Sequence, residues 1–138
     1  MTEKEIKIEF VDHLKEFGKL MNIEHDLRLY AMELPLFTSD GTKFADMVVE
    51  IEENKNHMLN QLIVIEWKKG FIETGAIEQC ERYAENVQNQ LRRKQNVIKM
   101  IASSEGFSDF EIKMCRTHDF YALKYDPNTH HMELETTK

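Results

Sequence analysis

Residues 61–68 read QLIVIEWK. The run is β-branched and apolar, too short for a helix, and suited to a central strand buried on both faces. Side chains in a strand alternate between faces, so Ile63, Ile65 and Trp67 share one face while Val64, Glu66 and Lys68 share the other. An acid and a base therefore stand side by side at the end of a buried strand. An isolated E-x-K tripeptide is common by chance and is ordinarily a strand-end ion pair or two solvated charges, so its weight depends on its surroundings.

Upstream, LRLYAMELPLF (27–37), the turn-like SDGT (39–42) and KFADMVVEI (43–51) read as two strands joined by a short connection. Pro35 places the first of them at an edge, or ends it early. The polar EENKNH (52–57) separates this pair from the 61–68 strand, giving three consecutive strands. Before them, Ile6, Phe10, Leu14, Phe17 and Met21 recur at three- and four-residue steps, which predicts one amphipathic helix over 3–21, its end frayed at Gly18. Downstream, Ile77, Cys80, Ala84, Val87 and Leu91 predict a helix from about 74 to 94, capped by Thr74 or Gly75. NVIKMIA (96–102) follows as a strand, SDFEIKMCR (108–116) as a shorter helix and FYALKY (120–125) as a final strand. The polar tail, 127–138, is expected to be loosely ordered. No repeat or linker divides the chain. The expectation is one α/β domain over 1–138, a mixed central β-sheet flanked by helices on both faces, with an α-β-β-β-α-β core.

The 138 residues, 41% apolar and 31% charged, fit one domain able to bury a core without a disulfide or structural metal. The N-terminus MTEKEIKIEF has no signal-peptide pattern, and no apolar run approaches the ~20 residues that span a bilayer. A soluble cytoplasmic protein with no membrane partner is expected. Cys80 and Cys115 lack paired spacing and read as reduced thiols. The histidines His13, His25, His57, His118, His130 and His131 form no HxH, HxxxH or His/Cys pattern, which argues against a zinc enzyme. No glycine-rich phosphate loop or nucleophile elbow is present. The net charge of −7 argues against a protein that coats nucleic acid non-specifically, so any nucleic-acid site must be local or metal-assisted.

Asp46 gives the E-x-K strand its significance. A carboxylate among Phe44, Met47, Val48 and Val49 costs several kcal/mol if buried and unpaired, so it calls for a cation. If the strands pair, Asp46 and Glu66 converge on one oxygen-lined pocket of the kind that holds Mg²⁺ through one or two carboxylates and several waters. Gln79 and Tyr83, four apart on the following helix, can face the mouth of the same pocket.

FADMVV, then IVIEWKKG, then GAIEQCERYAE resembles the PD-(D/E)XK nuclease superfamily, in the branch whose E-x-K strand continues into a helical QxxxY. The resemblance covers about residues 27–102, and similar spacing occurs in archaeal mismatch endonucleases and small repair nucleases. It implies a restriction-endonuclease-like fold and a Mg²⁺- or Mn²⁺-dependent nuclease. Asp46 and Glu66 would be metal ligands with the Trp67 carbonyl, Lys68 would orient or activate water, and Gln79 and Tyr83 would support them. Ala45 stands where the name-giving motif has proline. No acid of the first helix stands out as the usual extra ligand, which leaves Glu16 and Glu33 as candidates. The implied partner is nucleic acid, chiefly DNA, in repair, recombination or the processing of viral or mobile-element DNA. Lys68, Lys69, Arg82, Arg92, Arg93 and Lys94 could meet its backbone, although LRRKQ is more often a solvated helix end. Two alternatives stay open: a non-catalytic nucleic-acid-binding or assembly domain on the same fold, and a dimeric Holliday-junction resolvase. A homodimer is thus one expectation, with no clear dimer face in the sequence.

Overall fold

The structure, a computed structural model, describes residues 1–136. The first amphipathic stretch forms two helices where one was expected, α1 (Glu3–Val11) and α2 (Leu14–Leu20). The chain leaves helical geometry at His13, with φ −118° and ψ 27°, so both short helices can wrap the sheet with a continuous apolar stripe. Phe10 and Phe17 meet edge to face at 5.1 Å, and Phe10 also packs on Trp67 and Tyr125, each at 5.5 Å. Thr2 caps α1 by accepting the Glu5 N–H. Gly18 does not fray a terminus. It is buried inside α2, where an added Cβ would lie 3.4 Å from Leu27, so the small residue permits close packing on the first strand.

Six strands form one sheet in chain order: β1 (Leu27–Thr38), β2 (Gly41–Ile51), β3 (Leu62–Trp67), β4 (Ile98–Ser103), β5 (Tyr121–Tyr125) and β6 (Met132–Leu134). β1, β2 and β3 pair antiparallel, β3, β4 and β5 parallel, and β5 and β6 antiparallel. The parallel steps are bridged by α3 (Thr74–Gln90) and α4 (Asp109–Thr117). This is the mixed, helix-flanked sheet expected from the sequence, with Pro35 on edge strand β1. α1 and α2 cover one face, where Met47, Val49, Ile63, Ile65 and Met100 lie buried. α3 and α4 cover the other, where Val48 and Val64 lie buried and Ile77 of α3 shares a buried cluster with Ile101 and Ala122.

α3 begins at Thr74 and its N-cap is Glu73, which makes no side-chain cap bond, so neither Thr74 nor Gly75 takes that position. The helix stops at Gln90, and Arg92 turns into left-handed geometry at φ +54°. α4 has a full capping box: Ser108 accepts the Glu111 N–H, and the Glu111 carboxylate accepts the Ser108 N–H. The tail is more ordered than its polarity suggests. It supplies β6, and the buried Thr136 hydroxyl accepts the Ala122 N–H at 2.8 Å. Residues 137 and 138 of that tail lie outside the described residues. No helix among the described residues is long and apolar enough to cross a membrane.

Far along β2, the fully buried Glu50 accepts from Asn60 at 2.7 Å and pairs with His57 at 2.9 Å, Arg28 at 3.1 Å and Arg93 at 3.4 Å. Burial opposes its ionisation, but Asn60, His57 and Arg28 outweigh it and hold the Glu50 pKa below the ordinary carboxylate value. Arg93 is therefore buried structure, stacked over Tyr30, and not a surface cation for nucleic acid. Arg93→Ala should destabilise the protein by roughly 3 kcal/mol, because it strips a buried carboxylate of a buried partner. Urea unfolding measures this. A change below about 0.5 kcal/mol would mean that Arg28, His57 and Asn60 suffice for Glu50.

Candidate active site

In the β2–β3 ladder Val48 pairs with Val64 and Met47 with Ile65. The next positions in that register are Asp46 and Glu66, which the pleat directs to the same face. Here the ladder gives way: the Trp67 N–H donates to the Asp46 side chain, Oδ2, at 2.8 Å. The two carboxyl groups meet at the sheet's rim. Asp46 is partly open to solvent, whereas Glu66 is 8% exposed and its Oε1 is buried with no hydrogen-bond partner. Burial, and then the Asp46 charge, push the Glu66 pKa up to about 9, so at neutral pH Glu66 holds a proton beside Asp46.

The ammonium nearest this pair was not singled out in the sequence. Lys7 of α1 is buried, 3.5 Å from Asp46 Oδ1 and 3.1 Å from Glu3. Glu3 in turn pairs with the exposed Lys69 at 3.0 Å. These residues line a cleft with Met32, Glu33 and Asp46. Glu33 stands between Met32 and Leu34, which pair with Met47 and Ala45, and so lies opposite Asp46. Its backbone is left-handed at φ +54°, a conformation that costs a non-glycine residue and clusters at functional sites. Of the two extra acids, Glu33 thus lines the cleft, while Glu16 sits on α2, 3.8 Å from His13.

Lys68 follows Glu66 on the same face of the chain, but its ammonium is drawn toward α4. Nζ donates to the Gly106 carbonyl at 3.0 Å, lies 3.4 Å from Glu111 Oε2 and sits over the Phe107 ring. Burial works against ionisation of Glu111, but the N–H groups of Ser108 and Ile72 and the Lys68 charge prevail, and its pKa lies below the ordinary value. Gln79 donates to the Tyr83 hydroxyl at 2.6 Å. Together they line a groove beside the β1–β2 turn with Arg82 and Lys43, and no hydrogen bond joins either to Asp46 or Glu66 among the described residues. Arg82, Arg92 and Lys94 are exposed. Burial, with the Glu66 and Asp46 charges, raises the Cys80 pKa to about 12, and burial raises that of Cys115 to about 11, so both thiols stay protonated and unreactive.

The donor set fits a hard divalent cation. It is all oxygen, it includes one buried oxygen without a hydrogen-bond partner, and burial together with the Asp46 charge makes an ionised Glu66 costly unless a cation joins it. Asp46 and Glu66 would hold the ion, with the Trp67 carbonyl and Glu33 at the same rim.

Two solved structures share the mixed six-stranded sheet with helices on both faces. A repair endonuclease from Pyrococcus abyssi superposes with a TM-score of 0.58 over 88% of this chain, at 16% identity. An EndoMS complex with double-stranded DNA superposes with a TM-score of 0.51 over 86%, at 15% identity. The chain spans 47% and 44% of their lengths, just under half of each. No family model and no curated protein matches the sequence.

Proposed function

We propose that this chain is a Mg²⁺- or Mn²⁺-dependent nuclease that hydrolyses phosphodiester bonds, with DNA as its substrate. The observation that carries this is the facing pair Asp46 and Glu66 at one rim of the sheet, with the Glu66 Oε1 buried and without a hydrogen-bond partner. The fold, shared with one protein named a repair endonuclease and another solved with double-stranded DNA, supports the same substrate. A bound divalent ion would supply an activated water and charge relief at the phosphate.

The chain's own residues divide the remaining tasks. Asp46, pinned by the Trp67 N–H, presents its other oxygen at a fixed position. Glu66, protonated when alone, would give up its proton as it becomes a ligand. Lys68 would act on the attacking water or the phosphate after leaving or sharing the Glu111 carboxylate. Lys69 and Arg82, exposed on either side, would meet the nucleic-acid backbone.

The hold of Glu111 on Lys68 favours one alternative, a domain that binds nucleic acid without cutting it. The experiment that separates the two is a panel of single-stranded, double-stranded, mismatched and branched DNA and RNA, assayed with Mg²⁺ or Mn²⁺ and in EDTA. Asp46→Asn should stop cleavage while leaving the domain folded. In EDTA it should bind DNA as well as wild type or better, because a charge that repels phosphate has gone. Binding without cleavage by wild type across the panel would assign the binding module. Full activity in Asp46→Asn would show that the site lies elsewhere.

A further inference from the structure

The α1–α2 elbow meets the turn between β5 and β6, on the face of the sheet opposite α3. There Glu9, His13 and His130 bring one carboxylate oxygen and two ring nitrogens within 4.8 Å of one another. The two imidazoles stack, centroids 4.0 Å apart and 24° between planes. Nδ1 of His130 lies 3.3 Å from Glu9 Oε2 and 3.2 Å from the Tyr125 hydroxyl. We propose that Glu9, His13 and His130 form a second metal site, for a transition-metal ion of the zinc type, that clamps the β5–β6 turn to the α1–α2 elbow.

The donor chemistry selects the ion. Two imidazoles and one carboxylate suit Zn²⁺ and its neighbours, whereas Mg²⁺ prefers oxygen alone. A tetrahedral ion with bonds of about 2.0–2.1 Å holds its ligand atoms roughly 3.3 Å apart. Glu9 and His130 already have that spacing. The wider gap elsewhere in the trio closes by side-chain rotation, since all three are partly exposed, His13 at 27%, Glu9 at 36% and His130 at 38%.

The backbones are set in advance. Glu9 stands in the last turn of α1 and His13 at the break that follows it, and the break leaves their ligand atoms within 4.8 Å. His130 is fixed by a turn in which its N–H donates to the Asp126 carbonyl at 2.8 Å, and the Asp126 N–H to that of His131 at 2.9 Å. Glu16 lies 3.8 Å from Nδ1 of His13, placed as an outer carboxylate that orients a ligating imidazole through its other nitrogen. Three protein ligands leave a fourth position for water.

The test uses the untagged full chain, stripped with EDTA, in an Asp46→Asn background so that the carboxylate pair takes no part. Zn²⁺ should bind with one equivalent by calorimetry and raise the melting temperature by roughly 5–10 °C at saturating excess. Mg²⁺ should do neither. Adding His130→Asn, which tolerates the left-handed backbone at φ +63° but removes the imidazole, should weaken Zn²⁺ binding at least tenfold. His13→Ala should do the same from the other side of the stack. Zn²⁺ binding of equal affinity with and without His130 and His13, or no binding to the Asp46→Asn protein, would overturn the site. Neither result bears on whether wild type cuts nucleic acid.

Discussion

Metal-free Glu66→Gln is expected to melt at a higher temperature than wild type at neutral pH while cutting no nucleic acid. The Glu66 pKa is about 9 in the folded protein, against 4.5 for the unperturbed group. Between those values the folded protein keeps a proton that the unfolded chain releases, so stability falls as pH rises from about 4.5 to about 9 and then levels off. Glutamine has no proton to lose. The two proteins should therefore be equally sensitive to pH below about 4.5 and diverge above it, the variant gaining on the order of 1–4 kcal/mol at pH 7.5. In Mn²⁺ the order should narrow or reverse, because only wild type can present the second carboxylate, and its binding should release a proton. Parallel stability curves for the two proteins would mean that Glu66 titrates normally. Equal stabilisation by Mn²⁺ would remove it from the metal site.

The second large effect concerns Lys68. Lys68→Met keeps an apolar stem beside Phe107 but removes the ammonium, and cleavage should fall by about 10²–10⁴ with little change in metal affinity. The same substitution leaves Glu111 buried without its cation, though still bonded to two N–H groups, so stability should drop by about 1–3 kcal/mol. Gln79→Ala, in the outer groove, should cost less than tenfold. A Lys68→Met protein that cuts at the wild-type rate would restrict Lys68 to its structural bond with α4.

Much of this was legible in the sequence because periodicity reports burial. The 61–68 run, the strand pair around SDGT and the apolar stripe of α3 each lie where their spacing placed them, and the sheet is mixed as expected. The meeting of Asp46 and Glu66 follows from antiparallel register, which a strand, a break and a strand make natural. What escaped notice depends on contacts between distant segments. Lys7 reads as one more lysine on the polar face of an amphipathic helix, and only the path of α1 past the sheet's end buries it against Asp46. Glu111 is visible as the acid of a capping box after Ser108, but its reach to Lys68 and the Ile72 N–H is not. Arg93 belongs to a charged run that looks solvated, and the buried Glu50 is what draws it in. The break at His13 and the short β6 lie where local signals are weak and tertiary packing decides.

The edge strand β1 has a bearing on how copies of the chain can meet. An open strand is a template on which another chain can extend the sheet, and flat, uninterrupted edges invite stacking into fibres. β1 has Pro35, which lacks an N–H, a register shift between Leu29 and Ala31, and the left-handed Glu33. The opposite edge, β6, is three residues long and carries Glu133. Both margins of the sheet are thus poor templates, which guards the folded chain against runaway edge-to-edge association.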